Sequence, residues 1–299
     1  MANPIHQEQE ALLAADYIAD DASATVVWLA RTLQKPVLVE GPAGVGKTAI
    51  AQAFARAHNL KLLRLQCYEG IDEARALYEW NYKKQLLHIQ AVANRQLEVS
   101  DVEQAVFSEA FLLARPLLQA VTAEEPVCLL IDEIDKVDYA FEAMLLELLA
   151  EFQVTVPEFG TLTARSAPLV FLTSNASREL SEALKRRCLY LYLDFPDPAT
   201  EQRILERRIP GLNPELAAKL AAALADLRTL PLKKRPSIAE SIDWARALLA
   251  MGHQDLDRSL LRDTLNILLK YREDIALAKA KIPASGSLEG PLFNREKRP

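Results

Sequence analysis

The sequence predicts an α/β fold, a parallel sheet with helices on both faces, followed by a smaller all-helical region. Five short apolar segments alternate with helical patterns, an order typical of parallel sheets. A glycine-rich loop directly follows the first segment, and only helical periodicity remains after residue 196. The predicted strands are 36–39, 61–67, 126–131, 169–175 and 189–193.

The domain boundary is predicted at Pro196-Asp197-Pro198, because paired prolines punctuate regular structure. The 299 residues then divide into an α/β domain over 1–196, a helical lid over 197–282 and a flexible tail over 283–299. Within the first domain, residues 72–97 are predicted to form one long helical stretch. Lid helices are predicted at 199–208, 214–228, 237–250 and 256–275, the third opened by a capping box from Ser237 to Glu240.

Composition narrows the class of protein. Half of the residues are hydrophobic, enough for a large core, and the net charge is −6. This acidic balance argues against a protein whose main task is to grip nucleic acid, although it leaves room for a local basic groove. The polar start, Met1–Glu10, and the lack of a bilayer-length apolar run predict a cytoplasmic chain. Its widely spaced cysteines, Cys67, Cys128 and Cys188, are predicted to be free thiols.

A phosphate-binding loop follows the first predicted strand. Gly41 to Thr48 match G-x-x-x-x-G-K-[ST], and a helical pattern begins at Lys47. Glycines let backbone N–H groups converge on a triphosphate, the helix start adds donors, Lys47 adds a charge, and Thr48 offers a hydroxyl to Mg²⁺. The predicted nucleotide-binding residues here are Gly41, Pro42, Ala43, Gly44, Val45, Gly46, Lys47, Thr48 and Ala49.

A second decisive stretch is the apolar strand 126–131, which ends in Asp132 and Glu133. This is the Walker B pattern. Asp132 is the predicted Mg²⁺ ligand, acting through the ion's water shell, together with Thr48. Glu133 is predicted to orient and polarise the attacking water. The expected ligands are therefore ATP and Mg²⁺; GTP is disfavoured because the chain has no N-K-x-D stretch.

The order of these parts resembles the AAA+ ATPases, and the resemblance spans nearly the whole chain. It implies that Asn175, at the end of the fourth strand, is the sensor 1 residue that helps to hold the attacking water. It also implies that Arg187, or second Arg186, is the arginine finger that reaches the γ-phosphate of a neighbouring subunit. A solvated basic helix end is the alternative for both arginines.

Two further assignments are less distinct. In nucleotide-binding folds of this kind the segment before the first strand often packs on the base, so Tyr17 and Ile18 are candidates for the adenine pocket; ordinary core packing accounts for them equally well. AAA+ proteins often carry a sensor 2 arginine in the first turn of the third lid helix, but that turn is Ile238–Glu240 here. Arg235, just before it, is the candidate substitute, and a solvated charge cluster is the alternative.

Within AAA+, the sequence is similar to the MoxR family, in the branch that accompanies aerobic carbon monoxide dehydrogenases and related molybdenum hydroxylases. The stretches that carry this resemblance are VLVEGPAGVGKT, ALYEWNYKKQLL, LLIDEIDK, FQVTVPEFG and RPSIAESIDWARAL. It implies a hexameric ring that works as a chaperone with a von Willebrand factor A protein during maturation of a metalloenzyme or complex.

Two rival functions use the same ATPase core. One is a DNA-associated motor or clamp-loader-like ATPase, which the acidic balance disfavours. The other is a nucleotide-gated binding module that hardly turns over, which Glu133 and Asn175 argue against. Salt-dependent DNA binding and phosphate release distinguish the three hypotheses.

Overall fold

The computed structural model describes residues 3–92, 99–156, 160–284 and 286 of the chain. These fall into two compact units. The first is formed by the described residues within 1–41 and 47–192, and the second by the described residues within 42–46 and 193–299. The predicted boundary at 196/197 stays a prediction, and nearly all of the predicted flexible tail lies outside the described residues.

The first unit is built on five parallel strands, as the sequence predicts. Their spatial order is β2-β5-β8-β1-β9. Two antiparallel pairs, β3 with β4 and β6 with β7, lie outside this sheet. The strands of the unit are β1 (Val37–Glu40), β2 (Lys61–Gln66), β3 (Tyr78–Trp80), β4 (Leu112–Ala114), β5 (Val127–Asp132), β6 (Gln153–Val156), β7 (Gly160–Thr163), β8 (Leu169–Ser174) and β9 (Leu189–Tyr192).

Helices connect these strands and cover the sheet. Several have an N-cap residue whose side chain accepts a backbone N–H of the first turn. Asp20, Asp138 and Ser181 are such N-caps, and each satisfies an N–H that has no partner within the helix. Short 3₁₀ turns occupy Glu109–Phe111 and Ile134–Lys136. The α-helices are α1 (Pro4–Ala14), α2 (Asp21–Leu33), α3 (Lys47–Ala57), α4 (Glu73–Ala76), α5 (Tyr82–Val92), α6 (Val99–Val106), α7 (Pro116–Val121), α8 (Tyr139–Glu151) and α9 (Glu182–Arg187).

The core of this unit lies around the central strands. Every residue of β5 and of β8 is buried, which explains why 127–131 and 169–172 are uninterrupted apolar runs. The three cysteines are free, as the sequence predicts. Burial raises the pKa of the Cys128 thiol to about 12, so it behaves as an apolar core group.

The prediction of one long helix over 72–97 is wrong. The described part of this segment, up to residue 92, contains α4, the strand β3 and α5. Tyr78 to Trp80 pair with β4, 34 residues further along, and the Trp80 ring meets Phe107 edge-on at 5.3 Å. Aromatic residues suit a strand, but only a distant partner reveals this one, so the local helical pattern misleads.

The second unit is helical in its described part. Its helices are α10 (Pro198–Arg208), α11 (Pro214–Arg228), α12 (Ile238–Ala250), α13 (Arg258–Leu268) and α14 (Arg272–Lys281). The predicted capping box is present at the start of α12. The Ser237 hydroxyl accepts the backbone N–H of Glu240, and the Glu240 carboxylate accepts the backbone N–H of Ser237. A separate apolar core, which includes Trp244, packs these helices together.

The predicted single helix over 256–275 is two helices. Leu269 is extended, with φ −108° and ψ 132°, and both Leu268 and Leu269 are buried. The turn also brings Asp274 to the backbone N–H groups of Lys233 and Lys234, at 3.0 and 3.2 Å. Those tertiary contacts stabilise a break that a periodic apolar pattern does not reveal.

Candidate nucleotide-binding site

The carboxyl ends of four strands meet at one edge of the sheet. The parallel register aligns Glu40 of β1 with Ser174 of β8, and Gln66 of β2 with Asp132 of β5. Since parallel strands all end at the same edge, the polar residues that follow each buried strand gather there. Ligands of open α/β sheets bind at this edge.

Lys47, the first residue of α3, points into this cluster. Its ammonium donates to the carbonyl oxygen of Gly41 at 2.7 Å and to Asn175 Oδ1 at 2.8 Å, and the residue is 7% exposed. Burial lowers the pKa of Lys47, while the nearby carboxylates, Asp135 foremost, oppose that shift. An anion that approaches this ammonium therefore meets a poorly solvated positive charge.

Thr48 and Asp132 lie in direct contact, close enough to act on one metal ion. Thr48 Oγ1 is 3.0 Å from Asp132 Oδ1, and Asp132 Oδ1 also accepts a hydrogen bond from Thr173 Oγ1 at 2.5 Å. A hydroxyl beside a carboxylate is an oxygen donor set that suits Mg²⁺, which commonly takes one or two carboxylates and completes its shell with water and phosphate. The residues present thus fit the ion.

No larger metal cluster is found in the described part of the chain. There, no group of three or more His, Cys, Asp and Glu side chains is placed to hold a metal ion. The site at Thr48 and Asp132 suits a metal ion whose other ligands are water and the phosphate oxygens of a bound nucleotide.

Glu133 has an unusual backbone conformation. Its φ of 59° and ψ of 49° are left-handed, a region that costs a non-glycine residue about 1 kcal/mol or more. Two contacts hold it there: its N–H donates to Thr173 Oγ1 at 3.0 Å, and its Oε2 accepts from Gln66 Nε2 at 3.2 Å. The Glu133 carboxylate is thereby held beside Gln66, at the end of the neighbouring strand β2.

Asp135 organises the loop that carries Asn175. Its carboxylate accepts the N–H of Asn175 at 3.2 Å, the N–H of Ser177 at 3.0 Å and the Ser177 hydroxyl at 2.5 Å. Burial alone would raise the pKa of Asp135, but these hydrogen bonds outweigh it and lower that pKa. The Asp135 carboxylate therefore holds the backbone of the loop at Asn175 and Ser177.

The glycines of the phosphate loop have the conformations that the pattern requires. Gly44 and Gly46 have φ of 78° and 105°, which disfavour residues with a Cβ. Within the second unit, the Gly44 carbonyl accepts the N–H of Ile238 at 3.2 Å, and a Cβ on Gly44 would collide with the Ser237 side chain. Ser237, the N-cap of α12, thus lies against Gly44. In this region the sequence analysis considered only Arg235 as a nucleotide contact.

The structure gives the local surroundings of the remaining candidates. At the end of α9, Arg186 is 82% exposed in its side chain, whereas Arg187 donates to the Ala183 carbonyl at 3.3 Å. Tyr17 and Ile18 are half-buried in the connection between α1 and α2, and burial raises the pKa of Tyr17. Arg235 is exposed directly before Pro236. The roles predicted for these residues stay predictions.

Sequence reasoning missed four residues that contact the predicted site. Thr173 and Asp135 are described above, and Arg64 and Gln66 lie on β2, beside β5. The signal for Thr173 is its position near the end of the strand that precedes Asn175. No local pattern marks Arg64 and Gln66, because their importance depends on β2 pairing with β5.

The sheet order, the phosphate loop and the strand-end acids define a P-loop nucleoside triphosphatase. The match of residues 36–188 to the AAA domain of the dynein-related subfamily shows that the chain belongs to that family of AAA+ ATPases. The AAA+ fold expected from the sequence is thereby confirmed. The finer MoxR branch stays a prediction.

Three known proteins are similar to this chain at low sequence identity. The gas vesicle ATPase GvpN of Haloferax mediterranei is 24% identical over 238 residues, which are 77% of this chain and 66% of that protein. An uncharacterised protein of Staphylococcus epidermidis is 24% identical over 83% of this chain and 90% of its own length. The Holliday junction branch migration motor RuvB of Thermotoga maritima aligns with a TM-score of 0.47 and 17% identity, over 87% of this chain and 69% of that one.

Within the residues that the structure describes, no helix combines the length and the apolar character needed to cross a bilayer.

Proposed function

We propose that the chain is an Mg²⁺-dependent ATPase that couples ATP hydrolysis to remodelling of a protein client in the cytoplasm. One observation carries this proposal: Lys47 contacts Asn175 while Thr48 contacts Asp132, so lysine, hydroxyl, carboxylate and amide converge next to one helix start. Membership of the AAA+ ATPases supports the proposal. A relative named as a gas vesicle ATPase supports hydrolysis rather than binding alone.

Each side chain has a distinct task in the proposed reaction. Lys47 binds the β- and γ-phosphates, and the N–H groups at the start of α3 donate to phosphate oxygens. Thr48 and Asp132 would hold Mg²⁺, which when bound neutralises charge on the phosphate oxygens. Glu133 orients the attacking water and accepts its proton, and Asn175 holds that water in place.

The proposed enzyme works as a ring of six subunits, each completing the site of its neighbour. The exposed Arg186 and the adjacent Arg187, both at the end of α9, are the groups proposed to reach a neighbouring γ-phosphate. Such an arginine raises the hydrolysis rate about 10³- to 10⁵-fold. Tyr17, Ile18 and Arg235 are proposed to contact the nucleotide away from the phosphates.

The proposed client work follows the resemblance to MoxR proteins. A chaperone of this type acts with a von Willebrand factor A protein in the maturation of a metalloenzyme or protein complex. The resemblance in VLVEGPAGVGKT, LLIDEIDK and RPSIAESIDWARAL supports this part of the proposal.

A phosphate-release assay tests the enzymatic part. The native protein is expected to release phosphate from ATP when Mg²⁺ is present and to stop when EDTA removes it. Glu133→Gln is expected to bind ATP and hydrolyse it very slowly, whereas Lys47→Ala is expected to lose ATP binding. Lys35→Ala, which removes an exposed lysine before β1, serves as the matched control and should behave as native. Turnover near the native rate in Glu133→Gln would remove Glu133 from its proposed role.

A trap experiment tests the client part. Glu133→Gln, held in ATP, is expected to retain its client and to retain a von Willebrand factor A protein during purification from its own cells. Lys47→Ala, purified in parallel, should retain neither. If the two variants bring down the same proteins, the ATP-driven chaperone function is contradicted.

A further inference from the structure

Arg64 contacts the carboxylate that is proposed to hold the metal. It lies on β2, and its Nη2 is 2.5 Å from Asp132 Oδ2. The Asp132 side chain is 5% exposed, whereas the Arg64 side chain is 48% exposed. A half-exposed arginine thus reaches over the sheet edge to a nearly buried acid.

The same guanidinium is linked to Glu133 through Gln66. Arg64 Nη2 donates to Gln66 Oε1 at 2.6 Å, and Gln66 Nε2 donates to Glu133 Oε2 at 3.2 Å. Arg64 and Gln66 are two residues apart on one strand, so their side chains leave the same face of β2. One cation therefore engages Asp132 directly and restrains Glu133 through an amide.

Arg64 and Mg²⁺ would compete for the negative charge of Asp132. A nearly buried carboxylate is stabilised by a cation, and in this arrangement Arg64 supplies it. Mg²⁺ carries twice that charge and would use the same carboxylate together with Thr48. Repulsion between the ion and a guanidinium at hydrogen-bond distance from Asp132 favours movement of the flexible, half-exposed arginine.

We propose that Arg64 is a positioning residue that competes with Mg²⁺ for Asp132. It holds Asp132 and, through Gln66, Glu133 in the metal-free protein, and it leaves Asp132 when Mg²⁺ and nucleotide bind together. This inference rests on the proposed nucleotide and Mg²⁺ binding at Thr48 and Asp132.

The test measures binding rather than turnover. A fluorescent ADP analogue is held at fixed concentration and Mg²⁺ is titrated against the native protein and variants. Arg64→Gln is expected to lower the Mg²⁺ concentration at half-saturation about fivefold, since a charge-assisted contact no longer competes. Arg64→Lys keeps the charge and should stay close to native. Lys61→Gln removes an exposed charge from the start of the same strand and should change nothing.

A second readout separates competition from a purely structural role. In EDTA, Arg64→Gln is expected to melt at a lower temperature than native, whereas with saturating Mg²⁺ and ADP the two should melt together. An unchanged or raised Mg²⁺ requirement in Arg64→Gln overturns the proposal, as does an equal melting difference in both conditions. If the native protein itself fails to bind the ADP analogue, the proposed function fails, and this outcome is distinct from a failure of the Arg64 inference alone.

Discussion

The ammonium of Lys47 lies 2.8 Å from Oδ1 of Asn175, although 128 residues separate them in the chain. The start of α3 and the end of β8 thus meet where the phosphates are proposed to bind. Asn175, which is proposed to hold the attacking water, therefore also contacts Lys47, which is proposed to bind the phosphates.

Asn175→Ala is expected to slow hydrolysis strongly with little effect on binding. Loss of one preorganised polar group at a reacting centre lowers kcat about 10²- to 10³-fold. ATP affinity should change much less, because Lys47 keeps its charge and its contact with Gly41. Steady-state phosphate release together with an ATP-binding titration checks this expectation. Equal losses in kcat and in affinity would show that Asn175 acts mainly by placing Lys47.

Thr173→Val should destabilise the protein and slow hydrolysis together. The Thr173 hydroxyl donates to Asp132 and accepts the N–H of Glu133, so valine removes one hydrogen bond to the buried Asp132 carboxylate and takes this partner from the Glu133 N–H. The expected loss in the free energy of unfolding is about 1–3 kcal/mol, measured by urea unfolding. Thr173→Ser keeps the hydroxyl and is the matched control. A valine variant as stable and as active as the serine variant would contradict this role.

Asp135 should stabilise the fold in a pH-dependent way. Burial opposes its ionisation, but hydrogen bonds from Ser177 and Asn175 lower the pKa of Asp135 below its usual value. Stability from a carboxylate with a lowered pKa is present above the unfolded-state pKa, about 4, and is lost as the pH falls through the folded-state pKa. Asp135→Asn removes this contribution, so it should be less stable than native at pH 7.

The gap between native and Asp135→Asn should narrow as the solution becomes more acidic than about pH 4. Urea unfolding of both proteins across this range is the measurement. A gap that stays constant with pH would mean that shape, and not charge, accounts for the role of Asp135.

Arg187→Ala is expected to bind ATP normally and to lose turnover about 10³-fold or more. The proposed ring makes a stronger prediction. When Arg187→Ala subunits are mixed with Glu133→Gln subunits, each inactive alone, some interfaces combine an intact Glu133 with an intact Arg187 from the neighbour. Activity should therefore recover in the mixture. If only Arg186→Ala shows the loss and the recovery, the more exposed arginine is the active one; no recovery for either would contradict sharing between subunits.

The sequence predicted much of the fold because the relevant signals are local. The apolar runs of β5 and β8, the phosphate loop and the capping box at Ser237 each depend on neighbours within a few residues. The two wrong helices, over 72–97 and 256–275, have the opposite origin. Each is interrupted by contacts from distant segments, β4 in one case and the backbone at Lys233 and Lys234 in the other.

The candidate site divides in the same way. By itself the sequence determined the residue types that phosphate and Mg²⁺ require, because Lys47, Thr48, Asp132 and Glu133 occur in short patterns next to recognisable strands. Only the tertiary structure brought Arg64 to Asp132, Gln66 to Glu133, and Asp135 to the loop of Asn175. The physical reason is that these contacts depend on which strands are neighbours in the sheet, and a parallel sheet pairs segments that lie far apart along the chain.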